Sequence, residues 1–282
     1  MGAPPAVLYY GVEDERVAAG HSAHAADVRH CVRCGRRLQY TLYIYAHLGR
    51  YRCPHCGLER PRPQVYAQRV WPLDGHSTAV ALVTPVGSGT VRLQVPGLYN
   101  VYNALAAAAG ACALGLGWEA IQSGLEATRA GFGRMERLTV AGREVLVALV
   151  KNPVGYNEVP RTVLAAGQPC QLLLALNDLY ADGTDVSWIW DVDFEMLAAH
   201  PQGPCYVVCS GLRAEDLAVR LKYAGVDPAR LHVERDLARA LDHALECVRP
   251  GETLYILPTY TAMLQVRRIL QRRGHLSPFW EV

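Results

Sequence analysis

The chain has 282 residues, 51% of them hydrophobic and 19% charged, and its 28 Lys plus Arg nearly balance 26 Asp plus Glu for a net charge of +2. That composition excludes a disordered tail protein and supplies no global attraction to DNA or to an acidic surface. A length of roughly two typical domains, no apolar run long enough to span a bilayer, and an opening MGAPPAVLYYGVEDER without a basic start before an apolar stretch point to a two-domain cytoplasmic protein.

In chain order, Val7–Gly11 reads as a short strand, residues 12–30 as irregular, and residues 31–60 as a cysteine-rich segment. Short alternating stretches from Val65 to Val95, separated by Gly, Pro or Asp, predict antiparallel strands. A turn at 96–100 leads into an Ala-rich helix from Asn100 or Val101 to about Leu116, followed by a second helix over Trp118–Ala130. Beyond Leu138 the pattern changes. Apolar runs at Glu144–Val150, Gln171–Leu176, Cys205–Cys209, Leu231–Val233 and Leu254–Leu257 predict buried strands. Helical segments at Asn157–Ala166, Phe194–Ala199, Arg213–Ala224, Leu237–Cys247 and Tyr260–Arg273 separate or follow them. This alternation predicts a parallel sheet covered on both faces, with functional residues in loops at the C-terminal ends of the strands. The expected division is 1–137 and 138–282, with a small ribbon at about 28–62.

Nine cysteines are present, four of them within 26 residues. Cys31-Val-Arg-Cys34-Gly and Cys53-Pro-His-Cys56-Gly are two knuckles with 18 residues between them. Each turns two thiolates toward one point, and the two together supply four sulfurs for a closed, structural, tetrahedral Zn²⁺ site. A redox C-x-x-C pair would need a βαβ context that is absent here. His30 and His55 flank the knuckles and are the alternative ligands. Cys112, Cys170, Cys205, Cys209 and Cys247 read as small hydrophobes, and His200, His232, His243 and His275 as surface or core residues without evident partners. Arg29, Arg33, Arg36, Arg37, Arg50, Arg52, Arg60 and Arg62, with Tyr40, Tyr43, Tyr45 and Tyr51, raise a second reading of the ribbon as a nucleic-acid grip. It would lose salt-dependent binding when Arg36, Arg37 and Arg50 become Glu. The plainer reading is Tyr for a thin core and Arg for solubility.

Three further motifs follow in order: Asn100-Val-Tyr-Asn103-Ala, Gly133-Arg134-Met-Glu136, and Lys151-Asn152-Pro-Val-Gly-Tyr-Asn157. After them comes an acidic loop, Asn177 to Asp193, containing Asp178, Asp182, Asp185, Asp191 and Asp193. Such a loop can hold Mg²⁺ or Ca²⁺, or simply carry turn chemistry. Trp188 and Trp190 within it suit either a partner anchor or the domain core.

Taken together these motifs resemble the Mur ligase superfamily, and within it the MurT family, the ligase-like subunits of lipid II isoglutaminyl synthases. The specific elements are the ribbon inserted in the central domain, the Lys-Asn-Pro-x-Gly-x-Asn segment and Asp185-Val-Ser-Trp188. The resemblance implies an α/β fold: a partial Mur central domain carrying a four-cysteine zinc ribbon, then a Rossmann-like C-terminal domain. It implies that Asn103 reads adenine, although Tyr99 stands where the family usually has His. It also implies that Arg134 meets the phosphates and that Lys151 and Asn152 belong to the same nucleotide site, with ATP and Mg²⁺ as cofactors of the complete protein. The implied partner is a GatD-like glutamine amidotransferase, to which Asp185, or failing it Asp191, supplies the triad acid in trans. The implied substrate is lipid II, whose D-glutamate α-carboxyl is amidated; the membrane enters only through that lipid-linked substrate, and no nucleic acid is involved. No G-x-x-x-x-G-K-[ST] phosphate loop occurs in these residues. The chain is therefore expected to be a truncated product, to act beside a second chain that carries that loop, or to serve as a non-catalytic docking scaffold for a glutaminase.

Overall fold

A computed structural model describes residues 7–18, 29–46, 48–72, 77–129, 135–165, 170–199 and 206–276. The chain divides into two compact units, Met1–Arg129 and Ala130–Val282. The boundary expected at 137/138 falls within a strand of the second unit, Glu136–Val140.

The first unit contains β1 (Tyr10–Val12), β2 (Gln39–Tyr45), β3 (Leu48–Arg52), β4 (Val65–Pro72), β5 (Thr78–Thr84), β6 (Gly87–Leu93), α1 (Leu98–Ala113) and α2 (Trp118–Ala127). Its four-stranded sheet runs β1-β4-β5-β6. The antiparallel pairing expected over Val65–Val95 is found in β4–β5 and β5–β6, whereas β1 joins β4 in parallel. In β5 the alternation of the sequence is the alternation of burial: Thr78, Val80, Leu82 and Thr84 point inward. That inner face packs against Val101, Leu105 and Ala108 of α1, which the helical repeat brings onto one side. The helix starts at Leu98, earlier than expected, because Gly97 (φ 92) ends the turn directly before it. β2 and β3 form the separate two-stranded ribbon. Its base is tied to the loop after β1 by Arg50 with Glu13 and Glu15, and by Arg60 with Glu13.

The second unit contains β7 (Glu136–Val140), β8 (Arg143–Val147), α3 (Pro153–Ala165), β9 (Cys170–Ala175), α4 (Glu195–Ala199), β10 (Tyr206–Ser210), α5 (Ala214–Tyr223), β11 (Leu231–Val233), α6 (Leu237–Cys247), β12 (Thr253–Pro258) and α7 (Tyr260–Arg272). The sheet order is β11-β10-β9-β12-β8-β7, parallel throughout except for the antiparallel β7–β8 pair. Leu172, Leu173, Leu174 and Ala175 are all buried, so both faces of β9 are covered, as its unbroken apolar run requires. The chain steps outward from β9 to β10 and β11, then returns to β12 on the other side of β9. The loops after β9 and β12 therefore part at a topological switch point. Two local differences from the sequence reading have simple causes. β7 carries alternating polar residues and gave no buried-strand pattern. α3 begins at Pro153, before the expected 157, because the Asn152 side chain accepts the Gly155 N–H at 2.8 Å and Pro occupies the first helical position. Among the described residues, no helix is long and apolar enough to cross a membrane.

Candidate functional site

The four ribbon cysteines converge. Their Sγ atoms lie within 4.8 Å of one another, with Cys31–Cys56 and Cys34–Cys53 each at 3.5 Å. Tetrahedral zinc with Zn–S near 2.3 Å places its sulfurs about 3.8 Å apart, so the cluster fits that ion. Both knuckles close the same way: Gly35 (φ 71) donates to the Cys31 carbonyl at 2.8 Å, and Gly57 (φ 72) to the Cys53 carbonyl at 3.1 Å. Only glycine adopts that turn without strain. The Cys56 and His55 N–H groups face the Cys53 sulfur and pull its thiol down to about 6. Cys34, despite the Arg36 N–H beside it, is pushed up to about 12 by burial and by proton sharing with Cys53, Cys56 and Cys31. Four thiols this close cannot all ionise without a cation among them. His30 and His55 are exposed and stand outside the cluster.

In the second unit the acidic loop leaves the C-terminal end of β9 at the switch point, and its carboxylates separate by task. Asp182 accepts the Thr261 N–H at 2.8 Å and the Thr261 hydroxyl at 2.5 Å, at the start of α7. Asp178 faces Arg213 at 3.3 Å. Asp193, buried, pairs with Asn157 of α3 through its own N–H at 2.8 Å and its carboxylate at 3.3 Å. Those three hold the loop. Asp185 is exposed, and its Oδ1 accepts the Ser187 N–H at 2.8 Å; that bond holds its carboxyl below the usual range, so it is ionised at neutral pH. It stands at the entry of a 3-10 turn, Ser187–Asp191, whose last residue, Asp191, is also exposed. Trp188 packs on the buried Tyr156 ring, with centroids 5.9 Å apart, so it belongs to the core side; Trp190 is 53% exposed.

Two residues organise this loop without having stood out as site candidates. Arg220 of α5 is 4% exposed and donates to the carbonyls of Ile189 (3.2 Å) and Val192 (2.6 Å) and to Glu195 (3.0 Å). Its guanidinium also lies 5.5 Å from the ring centroids of Trp190 and Phe194. Asn177, 1% exposed, donates to Thr261 Oγ1 at 2.9 Å and accepts the Leu212 N–H at 3.0 Å, joining the ends of β9, β10 and β12. Gly211 sits against it because a Cβ there would lie 2.8 Å from Asn177 Oδ1.

The nucleotide candidates are distributed over both units. Asn103 is exposed on α1, its amide 3.4 Å from Asn100 Oδ1. Lys151 and Asn152 are exposed at the start of α3, where the Asn152 side chain is the helix cap. Arg134 lies outside the described residues. Of the isolated histidines, His232 and His243 do have partners: their ring centroids are 4.1 Å apart, and His243 Nε2 is 3.3 Å from the Tyr206 hydroxyl.

The family model for the MurT ligase C-terminal domain matches residues 149–263. The MurT subunit of the glutamine-hydrolysing lipid II isoglutaminyl synthase of Streptococcus pneumoniae is 33% identical over 274 residues, covering 96% of this chain and 59% of that protein. Its Staphylococcus aureus counterpart is 32% identical over 273 residues, covering 94% and 58%. The chain thus spans somewhat more than half the length of these relatives. In fold it is similar to a pseudomurein peptide ligase type C from Methanothermus fervidus, with a TM-score of 0.70 and 23% identity over 94% of this chain and 53% of that one. MurF from Acinetobacter baumannii superposes with a TM-score of 0.56 at 23% identity, over 73% of this chain and 45% of its own.

Proposed function

This chain belongs to the MurT family within the Mur ligase superfamily, and from that premise we propose that it is part of the ligase subunit of a cytoplasmic, glutamine-dependent enzyme that amidates the D-glutamate α-carboxyl of lipid II. In this reading ATP converts the carboxyl to an acyl phosphate, and ammonia released from glutamine by a GatD-like partner displaces the phosphate. Asn103 takes the adenine edge, Arg134 the phosphates, and Lys151 and Asn152 are further nucleotide-binding residues, together with a phosphate loop and Mg²⁺ that these residues do not themselves supply. Zn²⁺ on Cys31, Cys34, Cys53 and Cys56 holds the ribbon and takes no part in the chemistry.

The observation that carries the reading is the state of Asp185. A triad acid must be ionised, oriented and reachable by an imidazole on another protein. Asp178, Asp182 and Asp193 are engaged within the unit, whereas Asp185 is ionised, exposed and aligned by the Ser187 N–H. Docked against the amidotransferase, its carboxylate would accept the imidazole N–H, fix the tautomer and stabilise the imidazolium. The partner's cysteine thiolate can then attack the glutamine amide. In the co-purified pair, Asp185→Asn lowers glutamate release by ~10⁴-fold with the complex intact, as loss of a triad acid does elsewhere. Asp178→Asn changes it far less. Full activity in Asp185→Asn together with loss in Asp191→Asn moves the role six residues along the chain. Full activity in both leaves the chain as a docking scaffold.

A further inference from the structure

From Arg29 to Leu58 the sequence holds six arginines and no aspartate or glutamate, within a chain whose net charge is only +2. The fold divides these arginines. Arg50, at the base of the ribbon, is committed to Glu13 and Glu15. Arg33, Arg36 and Arg37 surround the first cysteine knuckle, are exposed, and have no acidic partner among the described residues. In the turn of that knuckle Val32 is 88% exposed. Arg36 and Arg37, with Pro54 and His55 from the second knuckle, also line an open cleft of about 590 Å³. A zinc ion on four thiolates leaves two negative charges at the centre. Three exposed arginines more than offset that charge.

We propose that the tip of the first cysteine knuckle, Val32 with Arg33, Arg36 and Arg37, seats on the surface of an anionic lipid bilayer. Three guanidinium groups meet the phosphates of the headgroups, and the single valine enters the interface between them. This deepens the proposed function and rests on it for its purpose, since a lipid-linked substrate is met only at a membrane. It adds a contact made by the protein itself. The competing occupant of a basic, tyrosine-rich ribbon is a single strand of nucleic acid, and the rings argue against it. Tyr40 and Tyr43 stack on each other with centroids 4.5 Å apart at 11°, and Tyr51 lies 5.6 Å from Tyr40. Tyr40 and Tyr43 each spend one face on the other and Tyr51 crowds Tyr40, which leaves these half-buried rings little platform for base stacking, whereas Val32 of the knuckle is an exposed aliphatic group.

The test is sedimentation of the zinc-loaded 282-residue chain with vesicles of phosphatidylcholine, with and without phosphatidylglycerol. Binding is expected only with the anionic lipid, and it falls as salt rises. Each arginine near such a surface is worth about fivefold in partitioning, so the combined Arg33→Gln, Arg36→Gln and Arg37→Gln variant loses about a hundredfold. Val32→Asp is expected to weaken binding at unchanged arginine content. A charge-matched control in the second unit, Arg239→Gln with Arg268→Gln and Arg272→Gln, stays near wild type, and all variants keep their zinc. Equal loss in the control, equal binding to pure phosphatidylcholine, or binding that survives the knuckle variant overturns the proposal. So does tighter, knuckle-dependent binding to single-stranded RNA. Glutamate release by the pair in vesicle-free solution separates the two ideas. The knuckle variant is expected to keep that activity, and failure of the Asp185 test with vesicle binding intact removes the proposed function and leaves this surface.

Discussion

Glu158 is a carboxyl group that the fold holds against its charge. It lies on α3 with only 4% of its surface exposed. Burial pushes its carboxyl up to about 7, the Arg161 guanidinium 2.7 Å away pulls the other way, and the nearby Asp193 adds to the rise. Because the folded value lies above the unfolded one of 4.5, the native state keeps a proton through an interval in which the unfolded chain has released it. Stability therefore falls as pH rises from about 4.5 to about 7 and levels off above. The difference in the two values corresponds to about 3 kcal/mol. Glu158→Gln removes the ionisation, and the value of about 7 already includes the pull of Arg161 on the charged form. The expected net gain at pH 8 is thus about 3 kcal/mol, with none near pH 4. Urea unfolding of wild type and variant across that range, followed by a probe of the second unit, gives the difference directly, since other titrating groups cancel. A gain independent of pH, or a loss that grows with pH, refutes the assignment.

Two further outcomes follow from the same kind of bookkeeping. Freshly purified protein carries one zinc by elemental analysis, and Cys31→Ser loses it and opens the ribbon to protease while the second unit's unfolding transition is unchanged; absence of stoichiometric zinc sinks the metal assignment. Arg220→Met leaves the Ile189 and Val192 carbonyls without their donor and costs about 3 kcal/mol in urea unfolding. Glutamate release by the pair falls even at temperatures where the variant is folded, because the turn bearing Asp185 is no longer clamped; unchanged activity would mean that the turn is held from elsewhere.

Much of the architecture was legible because its signals are local. The two knuckles announce themselves by spacing, and the unbroken apolar run at Gln171–Leu176 can only be a strand covered on both faces. β7 was not legible, since Glu136, Arg137 and Thr139 interrupt its apolar residues and its place at the edge of the sheet needs only one partner strand. Arg220 and Asn177 were hidden for a different reason: their value lies in contacts more than twenty residues away in the chain. For Arg220 a signal did exist. Ala214, Leu217 and Leu221 mark the buried face of α5, and Arg220 falls on the same face, where an arginine must find acceptors or be displaced. The arginines of the ribbon, seen as one basic group, separate only when the ion pairs of Arg50 and Arg60 with Glu13 remove them from it.

The acidic loop illustrates how a shared composition resolves into distinct roles. Five carboxylates in sixteen residues suggested a cation site, turn chemistry or an acid for a partner. Among the described residues the only cluster able to hold a metal is that of the four cysteines. Asp182 and Asp193 serve the turn chemistry, fastening the loop to α7 and α3, and Asp178 ties it to Arg213. With both ends fastened and Arg220 beneath the Ser187–Asp191 turn, Asp185 has a fixed position but an open face. That combination suits an acid used by another chain. An exposed carboxylate is solvated and costs the free subunit nothing, yet covering it without a counter-charge would be strongly unfavourable. A partner that brings an imidazole to that point relieves the cost, while one that does not is penalised. On the proposed reading, the same residue that aligns the partner's histidine also makes docking selective for it.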